Sequence, residues 1–281
     1  MAKIIAVSNQ KGGVGKTTTA VNLSACLAEA GKRVLLVDCD PQGNASSGLG
    51  KPGAEGKSIY QVLIDELDPA QAIVESCCPG LFLLPASIEL AGAEIELVGL
   101  PGRESMLKKA LAGVSQGYDY VLIDCPPSLG LLTLNAMTAA HSVLVPIQCE
   151  YYALEGVGQL MNTLNLVRRR MNPGLQVEGV LLTMLDGRTN LGIQVVQEVK
   201  KYFKDRVFST IVPRNVRLGE APSHGLPIHL YDPRSSGAEA YMDLAVELVP
   251  VSYTHLDVYK RQRSDCGAAP GASERPAGAR G

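Results

Sequence analysis

Two stretches of the chain place phosphate and carboxylate chemistry at short range. Lys11-Gly12-Gly13-Val14-Gly15-Lys16-Thr17-Thr18 follows an apolar run, Ile4–Ser8, and opens an amphipathic one. Glycines between a strand and a helix let backbone N–H groups turn inward around phosphate oxygens, and the helix N-terminus adds its positive dipole end. In such a loop Lys16 reaches the β- and γ-phosphates and the Thr17 hydroxyl ligates Mg²⁺. Gln10 stands where the general pattern has glycine, and Lys11 adds a cation inside the loop. The second stretch, Val34-Leu-Leu-Val-Asp38-Cys-Asp40-Pro-Gln-Gly-Asn44, ends an apolar run in two acids one residue apart. Such carboxylates hold Mg²⁺, directly or through water, or orient an attacking water. A third run, Tyr118-Asp-Tyr-Val-Leu-Ile-Asp124, ends in a single acid, as the magnesium-side strand of a P-loop ATPase does.

Positioning these groups requires a sheet whose strand ends open on one crevice. From residue 3 to about 249, short Val/Ile/Leu-rich runs without polar alternation alternate with longer amphipathic ones. This is the pattern of a parallel sheet buried on both faces. Strands are predicted at Ile4–Ser8, Val34–Asp38, Leu81–Pro85, Tyr120–Asp124, Ser142–Ile147, Val177–Leu182 and Val207–Ile211. Helices are predicted at Lys16–Ala30, Ser58–Glu66, Glu104–Val114, Leu131–Ala140, Leu154–Arg170, Leu191–Phe203 and Gly237–Leu248. The expected fold is α/β, one doubly wound and mostly parallel sheet with helices on both faces, and ligands sit at the carboxyl ends of its strands.

Composition narrows the classes. The chain has 281 residues, 46% hydrophobic and 19% charged, which excludes wholesale disorder. Its formal charge of −2 excludes a strongly basic nucleic-acid polyelectrolyte, so DNA binding has to come from a local patch. Seven cysteines with no CxxC pair argue against a disulfide scaffold or zinc ribbon. No window reaches the roughly 18 apolar residues of a membrane span. Residues 1–249 are expected to form the ATPase domain. The segment 250–281 breaks the pattern, and 11 of the 16 residues from Cys266 are Gly, Ala or Pro, so it is expected to be a disordered or non-native tail.

KGGVGKTT with its extra lysine, VDCDPQGN and VLIDCPPSLGLLTLNA together resemble the deviant Walker A ATPases, and within them the ParA/Soj partitioning proteins of the MinD/ParA superfamily. QCEYYALEG at 148–156, LLTMLDGRTNLG at 181–192 and PRNVRLGEAPSHGLPI at 213–228 extend the likeness to about residue 249. The resemblance implies ATP and Mg²⁺ as ligands and an ATP-dependent homodimer in which Lys11 reaches the phosphates bound by the other subunit. It implies that Lys16 and Thr17 keep their ordinary roles and that Asp40 positions or activates the hydrolytic water. Asp38 and Asp124 then lie around Mg²⁺, and Pro213 and Asn215 contact the adenine. It places DNA-binding arginines at Arg188 and Arg217, both in loops, which act on non-specific double-stranded DNA once two subunits align. It further implies weak hydrolysis stimulated by a ParB-like centromere-binding partner, in the cytoplasm on the nucleoid, to segregate chromosome or plasmid origins. With no long segment before Lys3, the compact chromosomal type is expected.

Two other readings stay open at this stage. A MinD-like division-site ATPase would bind membrane through a basic C-terminal helix, whereas Gly237–Leu248 carries Glu239, Asp243 and Glu247 and no Lys or Arg. A non-hydrolysing, nucleotide-switched regulator would carry the same motifs. Cys39, Cys125 and Cys149 read as small apolar filler rather than cluster ligands. His141, His224 and His229 read as surface or packing residues, and Ser8 and Ser128 as loop hydrogen-bonders.

Overall fold

A computed structural model describes residues 2–53, 56–150, 155–186 and 190–249, without the side chains of 155–157, 190 and 191. Residues 2–248 belong to one compact unit. Its eight strands are β1 (Lys3–Val7), β2 (Val34–Asp38), β3 (Val74–Glu75), β4 (Leu81–Leu84), β5 (Tyr120–Asp124), β6 (Ser142–Gln148), β7 (Gln176–Leu185) and β8 (Val207–Pro213). They form a single sheet in the order β3-β4-β2-β5-β1-β6-β7-β8, and every pair is parallel except β3 with β4. β2 and β5 are buried along their whole length, which is why their sequences show no polar alternation.

The crevice follows from this order. β1 lies between β5 and β6, and β5 lies between β1 and β2. The register pairs Val7 with Asp124 and Asp124 with Asp38, so the loops leaving β1, β2 and β5 emerge side by side. The chain turns outward in opposite directions from β1, the switch point at which α/β sheets bind ligands.

The helix Lys16–Glu29 is held in this crevice by its burial. Leu23 and Leu27 are fully buried, each contributing about 1.5–3 kcal/mol relative to exposure. It ends at Gly31, whose φ of 78° is the left-handed conformation that closes a helix. The helix Ser236–Leu248 packs along it, and Tyr241 Oη lies 3.1 Å from Thr19 Oγ1 in the buried interface. The same C-terminal helix protects the sheet edge, because the Glu247 carboxylate accepts the Ser209 and Thr210 N–H groups of β8 at 2.6 and 3.1 Å.

Several elements differ from the sequence expectation. β3 has only two residues, both exposed, and carries no periodicity to read. β7 runs three residues beyond its predicted end, to Leu185. Short helices at Asn44–Gly48, Pro69–Ala72, Leu90–Glu96 and Ile228–Tyr231 were not predicted, being too brief to show an amphipathic repeat. The predicted helix start at Ser58 is the N-cap of Ile59–Ile64, in a reciprocal capping box with Gln61. The helix predicted from Glu104 begins at Met106, after a 3₁₀ turn at Arg103–Ser105. Leu154, predicted to open a helix, lies outside the described residues; the helix runs Glu155–Arg170.

Candidate functional site

The glycine loop leaves β1 through Asn9, which fixes both of its sides. Asn9 Nδ2 donates to the Pro146 carbonyl at 2.7 Å, and its Oδ1 accepts the Lys11 N–H at 3.1 Å. Gly13 and Gly15 have φ values of 72° and 87°, left-handed conformations that a side chain would strain. Lys16 follows at the first helical position, 7% exposed, with Nζ donating to the Lys11 carbonyl at 3.0 Å. Burial lowers the Lys16 pKa, and Asp124 is the leading charge that opposes the shift. From across the crevice Thr183 Oγ1 donates to the Val14 carbonyl at 2.9 Å, which ties the loop to the end of β7. Met184, next in sequence, has a φ of 53°, an unusual conformation for this residue type.

The three acids occupy three different electrostatic situations. Asp38 is fully buried and already engaged: Oδ2 accepts from Ser46 N and Oγ at 2.8 and 2.6 Å, and Oδ1 from Asp40 N at 3.2 Å. Burial nevertheless pushes its pKa up to about 6, against the pull of the Ser46 bonds. Asp124 is also fully buried, and neither of its carboxylate oxygens has a hydrogen-bond partner. Burial first, then the neighbouring Asp38, raise its pKa well above the carboxylate range, opposed in part by the Thr17 hydroxyl and Lys16. Asp40 is 7% exposed, at the mouth of the crevice, with Oδ1 accepting the Gln42 N–H at 3.0 Å.

A buried carboxyl with two orphaned oxygens, beside a threonine hydroxyl and a lysine, fits a hard divalent cation that takes oxygen ligands. Between the two strand-end acids, Asp124 therefore holds the free ligand atoms, while Asp38 is tied into the loop of Ser46.

Lys11 points to Glu150, with Nζ 3.8 Å from Oε2. The other oxygen of Glu150 accepts from Gln148 Nε2 at 2.6 Å and lies 3.5 Å from Arg214. Pro213 closes β8, and both amide atoms of Asn215 are occupied: Nδ2 donates to Ser236 Oγ at 2.9 Å and Oδ1 accepts the Arg217 N–H at 2.8 Å. The expected loop at Arg217 is instead the first residue of a short helix, Arg217–Glu220, because Asn215 turns the chain ahead of it. Arg217 pairs with Glu220 at 2.7 Å and Asp232 at 3.5 Å. Arg188 lies outside the described residues. Arg168 and Arg206 donate to the Leu175 and Val177 carbonyls at 2.7 and 3.0 Å.

Ser8 Oγ, expected to bond within the loop, makes no hydrogen bond there and neighbours the Cys125 thiol. Cys39 and Cys125 are buried at the strand ends. His141 Nδ1 accepts the Ile4 N–H at 2.9 Å, and His224 stacks on Tyr231. Sequence reasoning missed Asn9, Ser46, Glu150 and Thr183 as partners of the site. Asn9 and Ser46 had local signals, an amide two residues before Lys11 and a hydroxyl eight residues beyond Asp38.

A strand, a left-handed glycine loop and a helix opening on a buried lysine, flanked by strand-end carboxylates, define a P-loop NTPase of the deviant Walker A type. A family model described as an AAA domain matches residues 2–177. The sporulation initiation inhibitor protein Soj of Bacillus subtilis is 64% identical over 249 residues, covering 88% of this chain and 98% of its own. The chromosome partitioning protein ParA of Myxococcus xanthus is 55% identical over 250 residues, covering 89% and 88%. A Mycobacterium smegmatis structure named cobyrinic acid a,c-diamide synthase, with bound ATP analog and magnesium, aligns with a TM-score of 0.77 at 42% identity, over 88% of this chain and 93% of that one. The chain belongs to the ParA/Soj family of chromosome-partitioning proteins.

Proposed function

We propose that this chain is an ATP-hydrolysing partitioning switch that binds ATP with magnesium, dimerises around it, and holds non-specific double-stranded DNA until a ParB-like partner stimulates hydrolysis. The observation that carries the nucleotide part is the orphaned Asp124 carboxylate beside Lys16 and Thr17 at the mouth of a glycine loop. Ionising that carboxyl costs several kcal/mol in the buried site unless a counter-charge arrives, and a phosphate-bound divalent cation supplies one. Magnesium, when bound, neutralises the β- and γ-phosphate oxygens and so stabilises charge that develops on transfer.

The rest is done by the chain's own groups. Gly12–Gly15 offer backbone N–H groups to the phosphates, Thr18 extends that cradle into the helix, and Lys16 adds a cation from within the same subunit. Asp40, buried to 7% exposure but with Oδ2 outside the bond that Gln42 makes to Oδ1, orients the attacking molecule. Lys11 leaves Glu150 for the phosphates of the partner subunit, where a cation acts as an arginine finger does. Pro213 and Asn215 line the base side; with the Asn215 amide engaged by Ser236 and Arg217, that segment contacts the adenine mainly through its backbone. Arg188 and Arg217 supply the DNA contacts, and their effect adds up when two subunits align. The two relatives of higher identity both carry partitioning or sporulation names, which supports this reading over an amide synthase.

We take residues 1–249 as the working domain and 250–281 as outside it. Among the described residues no helix is long and apolar enough to cross a membrane. ATP turnover measured with DNA and the partner, in the parent and in Asp40→Ala, tests the proposal. Turnover should fall by about 10²–10⁴-fold with ATP still bound. Unchanged turnover would remove Asp40 from the mechanism.

A further inference from the structure

The turn joining β3 to β4 carries two adjacent thiols that the nucleotide site does not use. Its backbone is pinned on several sides. Ser76 Oγ accepts the Cys78 N–H at 3.0 Å, the Ser76 N–H donates to the Leu81 carbonyl at 3.1 Å, and the Leu81 N–H to the Cys78 carbonyl at 3.0 Å. The turn leaves Cys77 exposed and Cys78 4% exposed, with their sulfurs 3.9 Å apart. Among the described residues Cys77 is the one exposed cysteine, and Cys26, Cys39, Cys125 and Cys149 are buried. A thiophilic reagent therefore meets Cys77 first and finds a second sulfur already in contact. Burial pushes the Cys78 thiol up to about 12, which keeps it inert towards reagents that engage one thiol at a time.

Geometry separates the two things such a pair can do. Neighbouring Cα atoms are about 3.8 Å apart across a trans peptide, below the range of about 4.4–6.8 Å that disulfides occupy. A disulfide would have to move the pinned turn. A soft centre held between the sulfurs needs less: a pyramidal trivalent centre with two bonds of about 2.3 Å meeting near a right angle draws the sulfurs from 3.9 Å closer by about half an ångström, a shift that side-chain rotation supplies. No group of three or more His, Cys, Asp or Glu side chains placed to hold a metal occurs among the described residues. An ion that needs four protein ligands is thus poorly served, and a centre that brings its own substituent and needs two is well served.

We propose that Cys77 and Cys78 form a two-thiol chelating site for thiophilic centres of the mono-substituted trivalent arsenic class. With phenylarsine oxide the two S–H protons leave with the arsenic-bound oxygen as one water. Two As–S bonds replace the As–O bonding, and no atom changes oxidation state. Cys77 Sγ also lies 3.8 Å from the Gly225 carbonyl, and a Cβ at Gly225 would sit 2.9 Å from Gly50 Cα, so the adduct forms beside a tight backbone contact.

The test uses the full chain carrying Cys266→Ser, phenylarsine oxide and intact mass spectrometry. One adduct is expected that survives excess glutathione and is stripped by 2,3-dimercaptopropanol. Cys77→Ser and Cys78→Ser should each abolish the glutathione-resistant adduct while ATP binding, the check on folding, stays at the parent level. No adduct on the parent, an adduct stripped by glutathione, or a resistant adduct in either variant would overturn the assignment.

Discussion

The phosphate crevice and the Arg217 surface treat charge in opposite ways. In the crevice Asp124 is fully buried and has no hydrogen-bond partner for either oxygen. At the surface Arg217, half exposed, already has two acidic partners in its own chain, Glu220 and Asp232. Ionising a buried, unpaired carboxyl costs several kcal/mol, which is why burial raises the Asp124 pKa, whereas an exposed pair contributes about 0–1 kcal/mol. The difference teaches where each ligand acts. Under the proposed function, the crevice holds ligand atoms that a phosphate-bound cation would engage, and the surface holds weak pairs that a polyanion would exchange.

Exchanging Arg217 for an acid should break the surface side most visibly. Arg217→Glu is expected to weaken ATP-dependent DNA binding at least about tenfold, and to reduce the salt slope of binding by about 2 per dimer, one contact from each chain. Filter or mobility-shift binding across a salt series measures both, and an unchanged slope would take Arg217 out of the interface. A smaller effect sharpens the crevice side. Thr183→Val removes the bond to the Val14 carbonyl, worth about 1 kcal/mol, and should weaken ATP binding about fivefold with little change in turnover at saturation. Calorimetric titration would show it.

The smallest effect concerns stability. Asp124 has its folded pKa raised above the unfolded value, so the unfolded chain ionises first as pH rises and the native state loses stability through that window. Asp38, pushed up to about 6, acts in the same direction between about pH 4 and 6. Asp124→Asn should therefore stabilise the nucleotide-free protein at neutral pH by on the order of 1 kcal/mol, about 2–4 °C in Tm. The gain should shrink towards pH 4, where the carboxyl of the unfolded chain is protonated as well. A pH series of thermal melts checks the sign.

The phosphate loop and the strand-end acids were legible because each is a local signal: glycine spacing, an apolar run, an acid at its end. The sheet was legible for the same reason, since buried parallel strands are continuous apolar runs. What stayed hidden depends on side-chain contacts that only the folded chain makes. Thr183 reaches Val14 from 169 residues away, and Ser46 occupies the Asp38 oxygens that the sequence assigned to magnesium. Glu150 as the partner of Lys11, and Glu220 and Asp232 as partners of Arg217, needed the fold to bring their loops together. β3 and the short helices escaped because two to seven residues hold no repeat to read.

The central claim is that each chain builds one half of the phosphate site and that Lys11 completes the other half in the partner. The most direct measurement is the mass in solution, by light scattering with ATP and magnesium, of Asp40→Ala against Lys11→Ala/Asp40→Ala. The account predicts a dimer for the first and a monomer that still binds ATP for the second. An ATP-dependent dimer that forms equally well without Lys11 would contradict it.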